Sequence, residues 1–394
     1  MHAELPPPGA DAAAHSARLA ALIREEISAS GGVIPFSRFM ERCLYAPGLG
    51  YYSAGSTKFG AAGDFVTAPE LGPLFATCIA QATATLIQQL GGEAEFLEIG
   101  GGSGALAEVV LKRLMALDAV PARYAILEPS ADLRERQREH LQRSLVPTLF
   151  DRVEWIDGPP ETPWQGVLFA NEVIDALPTP RFSLREGEVY EEHVALDGNG
   201  QFMRADRPAD PLLAAAVRHL ERTLGNEFAD GYRSELLPQL PYWIQAVMGG
   251  MQAGAMLFVD YGYPRREYYL PQRSDGTLRA FYRHHVHNNA YLWPGLQDLT
   301  ASVDFTALAE AGTQAGFELV GYTHQASFLL GNGLDERLQE AARHADAARQ
   351  QQLHNEVRRL ILPTEMGERF QVMGFSRGVD FSAPFLAADL SWRL

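Results

Sequence analysis

Three groups of side chains that could do chemistry stand at the ends of apolar runs. The first is Glu98 followed by the glycines of Gly100-Gly101-Gly102-Ser103-Gly104, where AEFLEIG (94–100) gives way to the amphipathic ALAEVVLKRLMAL (105–117). The second is Glu128, which closes the run RYAILEP (123–129). The third is Asn171, Glu172 and Asp175 of ANEVIDALP (170–178), behind the run GVLFANE (166–172). Glycines between a strand and a helix permit positive φ and let a ligand approach the backbone closely. Acids beside them can neutralise a cation or accept hydroxyl protons.

The glycine loop fits two templates. Gly100, Gly102 and Ala105 match the GxGxxA of a dinucleotide fold, whereas Glu98, Gly100, Gly102 and Gly104 match the ExGxGxG of an S-adenosylmethionine (SAM) site. A dinucleotide sets an anionic pyrophosphate on such a loop, at the helix N-terminus, where Glu98 would repel it. SAM has no phosphate, and its methionine end carries an ammonium and a sulfonium that suit a carboxylate. Glu128, 24 residues beyond Gly104, can accept both ribose hydroxyls of either ligand. A tight turn with no ligand is the plain alternative; three spaced glycines and two strand-end acids argue against it.

Glu172 and Asp175 are three apart, so a turn of helix would set both on one side. Methyl transfer from a sulfonium is an in-line displacement, in which the protein aligns the nucleophile and controls its proton. A carboxylate pair suits a guanidinium through charge-assisted hydrogen bonds. The alternative is that both acids cap a following helix.

The elements that must position these groups alternate strand and helix: strands at 94–100, 123–129, 152–157, 166–172, 254–262, 318–328 and 368–378, and helices at 105–117, 130–143 and 304–317. Such alternation predicts an α/β fold with a parallel sheet covered on both faces. Helices are also expected over 15–30, 71–90 and within 334–361. Residues 34–70 are aromatic- and glycine-rich with little periodicity, and a long irregular segment is commonly functional. Residues 179–236, with alternating RFSLREGEVYEEHVAL, and 263–302, rich in Tyr, His, Pro and Gly, read as insertions after the fourth and fifth strands that build a pocket. The expected division is an N-terminal helical and cofactor-covering segment over 1–92, a core over 93–178 and 237–394, and an inserted substrate subdomain over 179–236.

Composition narrows the class. The 394 residues carry a formal charge of −16, which argues against nucleic acid held through phosphates and against docking on an anionic membrane. No apolar run of about 18 residues exists, so no membrane insertion is expected. Cys43 and Cys78 form neither a zinc spacing nor a disulfide scaffold, and the N-terminus lacks a cationic signal region, so a bacterial cytoplasm is expected. His284, His285 and His287 contain an HxH pair, but no further Cys or carboxylate cluster stands beside it, and no metal is expected.

Several segments together resemble one family. Gly63-Asp64-Phe65-Val66-Thr67-Ala68-Pro69-Glu70 resembles its GDFxTAPE signature, and Leu44 to Tyr52 its LYxPxxGYY. Asn171-Glu172 with Asp175-Ala176-Leu177-Pro178 is similar to its NExxDALP, and Asp260-Tyr261-Gly262, Gly276-Thr277-Leu278-Arg279 and Pro294-Gly295 through Val303-Asp304-Phe305 to its DYG–GTLR–PGxxDLTxxVDF run. On these motifs the chain resembles the MidA-like family of SAM-dependent methyltransferases, over about residues 34–330. The resemblance implies a class I methyltransferase fold, a Rossmann-like seven-stranded sheet, with SAM as donor and S-adenosylhomocysteine as product. It implies that Glu98, Gly100, Gly102 and Glu128 contact the cofactor, and that Thr67 and Pro69 lie over it. It further implies a partner protein with a reactive arginine, with a subunit of respiratory complex I among the candidates. Where the family often has Thr-Gln after its sixth strand, this chain has Thr323-His324-Gln325. Methylation of a small molecule, or a SAM-binding assembly scaffold with little turnover, are the other readings.

Overall fold

The computed structural model describes residues 5–54 and 67–394. Gly63–Val66 of the GDFxTAPE-like segment lie outside them. By internal contacts the chain forms two compact units, one of 1–65, 174–239 and 265–302, the other of 66–173, 240–264 and 303–394. Each has its own apolar core, and no helix of the described residues is long and apolar enough to cross a membrane.

The second unit is built on a sheet whose continuous path has seven strands: β1 (Glu95–Ile99), β2 (Arg123–Leu127), β3 (Val153–Ile156), β4 (Pro163–Asn171), β5 (Gly250–Tyr263), β6 (Glu318–His324) and β7 (Phe370–Arg377). Their order across the sheet is β6-β7-β5-β4-β1-β2-β3. An eighth strand, Val303–Asp304, pairs with the end of β5. Helices α1 (Leu74–Leu90), α2 (Ala105–Ala116) and α3 (Ala131–Ser144) belong to this unit. The central strands are apolar on both faces, Phe96, Val167, Phe169, Leu257 and Val259 being fully buried, as expected for strands covered by helices on both sides.

The sheet is mixed rather than parallel throughout, because β7 runs antiparallel to both β5 and β6. The Ala326 N–H donates to the Gly367 carbonyl, 2.9 Å. That bond lies beside the end of β6 and the start of β7, consistent with their antiparallel pairing. The strand expected over 318–328 stops at His324, and Gln325–Gly331 is a helix. Its buried Gln325, Phe328 and Leu329 recur at helical spacing, which outweighs strand propensity here. The region 334–361 holds two helices, Leu334–Ala342 and Ala347–Ile361, the second capped by the Asp346 side chain on Arg349 N.

The first unit packs Leu19, Ile23 and Ile27 of the helix Ala10–Ala29 with Phe36, Phe39, Met40 and Val194. That helix begins five residues before the expected 15, because alanines extend it. Strands Arg181–Arg185, Glu188–Leu196, Phe202–Pro208 and Arg233–Glu235 form an antiparallel sheet with Ile34–Pro35. Residues 263–302, which show no strand periodicity, contribute a second small sheet of Arg279–Tyr282, His285–His287 and Asp298–Thr300.

Through the first unit runs a buried ion network. The Glu192 carboxylate, 0% exposed, accepts from Arg181 Nη1 at 2.8 Å, Arg233 Nη1 at 2.9 Å and the Tyr291 hydroxyl at 2.5 Å. Arg181 Nε also donates to Glu235, 2.9 Å, and Arg233 Nη2 to Asp206, 2.7 Å. Glu235 in turn accepts from Thr277 N, 2.8 Å. Gly276, at φ +74°, lets the chain pass so near that a Cβ there would stand 2.3 Å from that carboxylate. The Gly276-Thr277 motif therefore seats a buried acid. Removing one partner of such a network leaves the others buried and uncompensated. Glu192→Gln is expected to cost about 3–5 kcal/mol in denaturant-induced unfolding. A loss on the scale of an exposed pair, below about 1 kcal/mol, would contradict the network's role.

Candidate functional site

The expected site residues of the second unit gather at one edge of its sheet. Strands β1, β2, β4 and β5 are parallel neighbours, with Ile99 paired to both Leu127 and Ala170, and Asn171 to Val259. Their C-terminal ends therefore lie side by side, the place where open α/β sheets bind ligands. Glu98 is the penultimate residue of β1, Glu128 follows β2 and Asn171 ends β4. Two backbone bonds carry the ladder past the strand ends: Gly100 N–H to Leu127 O, 3.0 Å, and Glu172 N–H to Val259 O, 2.9 Å.

The glycine loop is shaped by the conformations it needs. Gly100, Gly102 and Gly104 have φ of +72°, +52° and +87°, and Gly104 is the left-handed residue from which α2 departs. A Cβ on Gly101 would stand 2.7 Å from Ile126, whereas one on Gly102 would meet nothing within 4 Å. The loop thus presses on β2 on one side and presents open backbone at Gly102. The Ser103 hydroxyl donates to Glu70, tying the loop to the short helix Ala68–Leu71 that follows Thr67 and contains Pro69.

Both strand-end acids are buried, Glu98 being 3% and Glu128 5% exposed. Among the described residues no basic side chain forms an ion pair with either. Glu98 accepts from the Tyr124 hydroxyl, 2.8 Å. Burial pushes its carboxyl up to about 8; the Glu128 charge adds to the rise and the Tyr124 hydrogen bond opposes it. Glu128 accepts from Ser130 N–H, 2.9 Å, and from Gln137 Nε2, 3.4 Å. Burial raises it to about 7 against those two donors and the Arg134 charge. Two buried acids without an ion-paired cation among the described residues, beside open glycine backbone, fit a ligand with a cationic end and paired hydroxyls.

Asn171 Nδ2 donates to Glu172 Oε1, 3.1 Å, while its Oδ1 is buried with no hydrogen-bond partner among the described residues. Glu172 has φ +52°, a left-handed conformation rare outside glycine and asparagine that costs on the order of 1 kcal/mol or more. No turn of helix joins Glu172 to Asp175. The chain bends there, and Leu177 N–H closes a turn on Ile174 O, 3.1 Å. Nor do the acids cap a following helix, since the next elements are strands and the next helix, Pro211–Leu224, is capped by Asp210.

Asp175 belongs to the first unit. It is buried, its carbonyl accepts from Ala301 N–H at 2.9 Å, and its charge acts with that of Asp298 on Tyr52. The Tyr52 hydroxyl donates to Asp298, 2.9 Å, and its ring stacks on Tyr45 at 5.6 Å. His284 and His285 stand at and beside the tight turn joining two strands of the small sheet, where Arg283 and His284 adopt positive φ. Among the described residues, no group of three or more His, Cys, Asp or Glu could hold a metal.

The sequence reading misses Tyr124, Gln137 and Ser103, all of which touch the predicted ligand-binding residues or loop. Gln137 had a signal. It occupies the apolar stripe Leu133-Gln137-Leu141 of an otherwise charged helix, where an amide needs a reason to be buried.

Residues 78–323, more than half of the chain, match the family described as "Putative S-adenosyl-L-methionine-dependent methyltransferase". A crystal structure of a COG1565 superfamily member from Burkholderia thailandensis, bound to S-adenosyl-homocysteine, is 44% identical. It superposes with a TM-score of 0.92 over 99% of this chain and 100% of that one. The zebrafish (Danio rerio) protein arginine methyltransferase NDUFAF7, mitochondrial, is 29% identical, across 86% of this chain and 82% of its own length. The Drosophila melanogaster homologue is 27% identical, across 89% and 83%. With strand-end acids and a glycine loop suited to that cofactor, the chain belongs to the MidA-like family of S-adenosyl-L-methionine-dependent methyltransferases.

Proposed function

We propose that this methyltransferase modifies an arginine of a partner protein, with a respiratory complex I subunit among the candidates, in the cytoplasm of a bacterium. The observation that carries the reading is the strained Glu172. A carboxylate at the end of β4, next to the cofactor edge, is kept in a left-handed conformation that costs stability. The relatives named as protein arginine methyltransferases support the acceptor class. In this reading the seven-strand path is the class I sheet, with insertions after its fourth and fifth strands. Residues 179–236 form a substrate subdomain inserted in the 93–178 and 237–394 core, and 1–92 cover the cofactor.

SAM supplies an electrophilic methyl group on a sulfonium. Glu98 holds the ammonium end, Glu128 accepts the ribose hydroxyls, and Gly100, Gly102 and Gly104 admit the ligand against the backbone. Asn171 offers its buried Oδ1 beside them, and Thr67 and Pro69 close over the ligand. Glu172 and Asp175 hold the guanidinium, whose delocalised lone pairs and pKa above about 12 make it a poor nucleophile alone. A carboxylate that accepts from one nitrogen concentrates electron density on another. As the new N–C bond forms and the C–S bond breaks, Glu172 takes the guanidinium proton, and neutral S-adenosylhomocysteine remains.

Two tests follow from this arrangement. A cationic ligand end needs Glu98 ionised, and burial holds that acid largely protonated below about pH 8. Binding of SAM should therefore release protons and tighten with pH, by up to about tenfold per unit below pH 8. Without ligand the sign reverses. Folded-state values above the ordinary carboxyl range mean that both acids favour the fold at acid pH. That contribution is lost as pH rises through about 7 for Glu128 and about 8 for Glu98. Calorimetry in buffers of different ionisation heat measures the release; affinity flat with pH and no proton released would refute the Glu98 contact. For the acceptor, Glu172→Gln and Asp175→Asn should lose methyl transfer to arginine-containing partner or library peptides by about 100-fold, the scale of general acid–base catalysis. SAM affinity and melting temperature should be kept. Turnover near wild type in both variants rules out the carboxylate clamp, and methyl incorporation into a small molecule instead would reassign the acceptor.

A further inference from the structure

The geometry points to Gln137 as a positioning residue that holds the glycine loop and the ribose acid in register, and thereby sets affinity for the adenosine half of the cofactor. This rests on reading the strand-end site as the SAM site. Gln137 is 0% exposed and reaches three partners through one amide. Its Oε1 accepts from the indole Nε1–H of Trp155 on β3, 2.8 Å. Its Nε2 donates to the Gly102 carbonyl, 3.0 Å, and to Glu128 Oε2, 3.4 Å.

The orientation of that amide is chemically determined. An indole N–H is only a donor, so the atom facing Trp155 must be the amide oxygen. The amide nitrogen then faces Gly102 and Glu128, both acceptors. A flipped amide would set N–H against N–H on one side and oxygen against oxygen on the other. Trp155 thus aims the two donors, and Gln137 spends one on the loop and one on the acid. Gly102 is the loop glycine with open space around it, and Glu128 is the acid at the end of the next strand. A side chain of α3 thus ties Gly102 to the acid, in addition to the backbone bond from Gly100 to Leu127. Ser130 N–H supports the other Glu128 oxygen, 2.9 Å. The Arg134 charge from α3 also acts on Glu128, and the charge of Glu128 in turn acts on Glu98 of β1. With the Gln137 donor gone, the ionised form of Glu128 loses a hydrogen bond and the loop carbonyl loses its tether.

The test uses the full chain and two probes, S-adenosylhomocysteine and adenosine, across about pH 6 to 9. Gln137→Met keeps the volume and removes both donors. It should weaken both probes by about tenfold, the scale of a hydrogen bond to a charged group, and move the pH midpoint of adenosine binding upward. Gln137→Glu places a second carboxylate against Glu128. Binding should then survive only on the acid side, where the two acids share a proton. Trp155→Phe keeps Gln137 but removes the group that aims it, and should give a smaller loss on both probes. Glu98→Gln serves as the comparison and should weaken S-adenosylhomocysteine more than adenosine, because only the former carries the ammonium end. A merely structural Gln137 would lower the melting temperature without moving the pH midpoint, and that result, or unchanged affinity in Gln137→Met, overturns the assignment. Failure of the unaltered protein to bind either probe would instead reject the cofactor reading beneath it.

Discussion

A carboxylate taken out of water is unfavourable unless something meets its charge, and the strand-end edge of the second unit carries two of them, Glu98 in β1 and Glu128 just after β2. Glu98 and Glu128 are buried by the same packing that makes β1 and β2 central strands, and what they touch are neutral donors: a phenol, an amide and a backbone N–H. Their protonation is raised as a result. The surrounding structure is arranged to hold that unfavourable pair in place. Positive-φ glycines bring the loop back over β2, Gln137 ties the loop to Glu128, and Ser103 ties it to Glu70. In the proposed reading, a cationic, hydroxyl-bearing ligand completes the balance and links the stability of this edge to its occupancy.

The first unit treats buried charge in the opposite way. Arg181, Arg233, Glu192, Glu235 and Asp206 interlock so that each guanidinium meets carboxylates and each carboxylate meets donors. Such a network adds little net stability over apolar packing, but it penalises any misplacement of the strands that carry it. It joins Arg181, Glu192, Asp206 and Arg233 of four strands to Asp275 and Thr277 of the distant 265–302 segment. The charges of this network are paired, whereas among the described residues no basic side chain forms an ion pair with Glu98 or Glu128.

Strand β4 carries this logic to the acceptor side. The ladder continues through Glu172 N–H, yet the residue turns left-handed at that point, which β-sheet hydrogen bonding alone does not require. Asn171 donates to Glu172 and leaves its own oxygen buried. Strain and an orphaned acceptor thus fall on consecutive residues at the end of β4, and the proposed acceptor role of Glu172 rests on that coincidence.

Much of this was legible in the chain itself, where the information is local. The spacing of Glu98, Gly100, Gly102 and Gly104 is a property of a few consecutive residues; the charge of Glu98 favours SAM over a dinucleotide, while Glu128 suits the ribose of either. The strand–helix alternation was equally local, because burial on both faces leaves uninterrupted apolar runs. What the tertiary structure decided depends on partners far apart in sequence. The direction of β7 shows only in its antiparallel pairing with β5 and β6, and the helix at 325–331 in what Gln325, Phe328 and Leu329 bury against. The role of Gly276 follows from Glu235, and the purpose of Gln137 from an indole on another strand. A sequence states which groups can donate or accept; only the fold brings together the partners that determine where each buried charge and amide is satisfied.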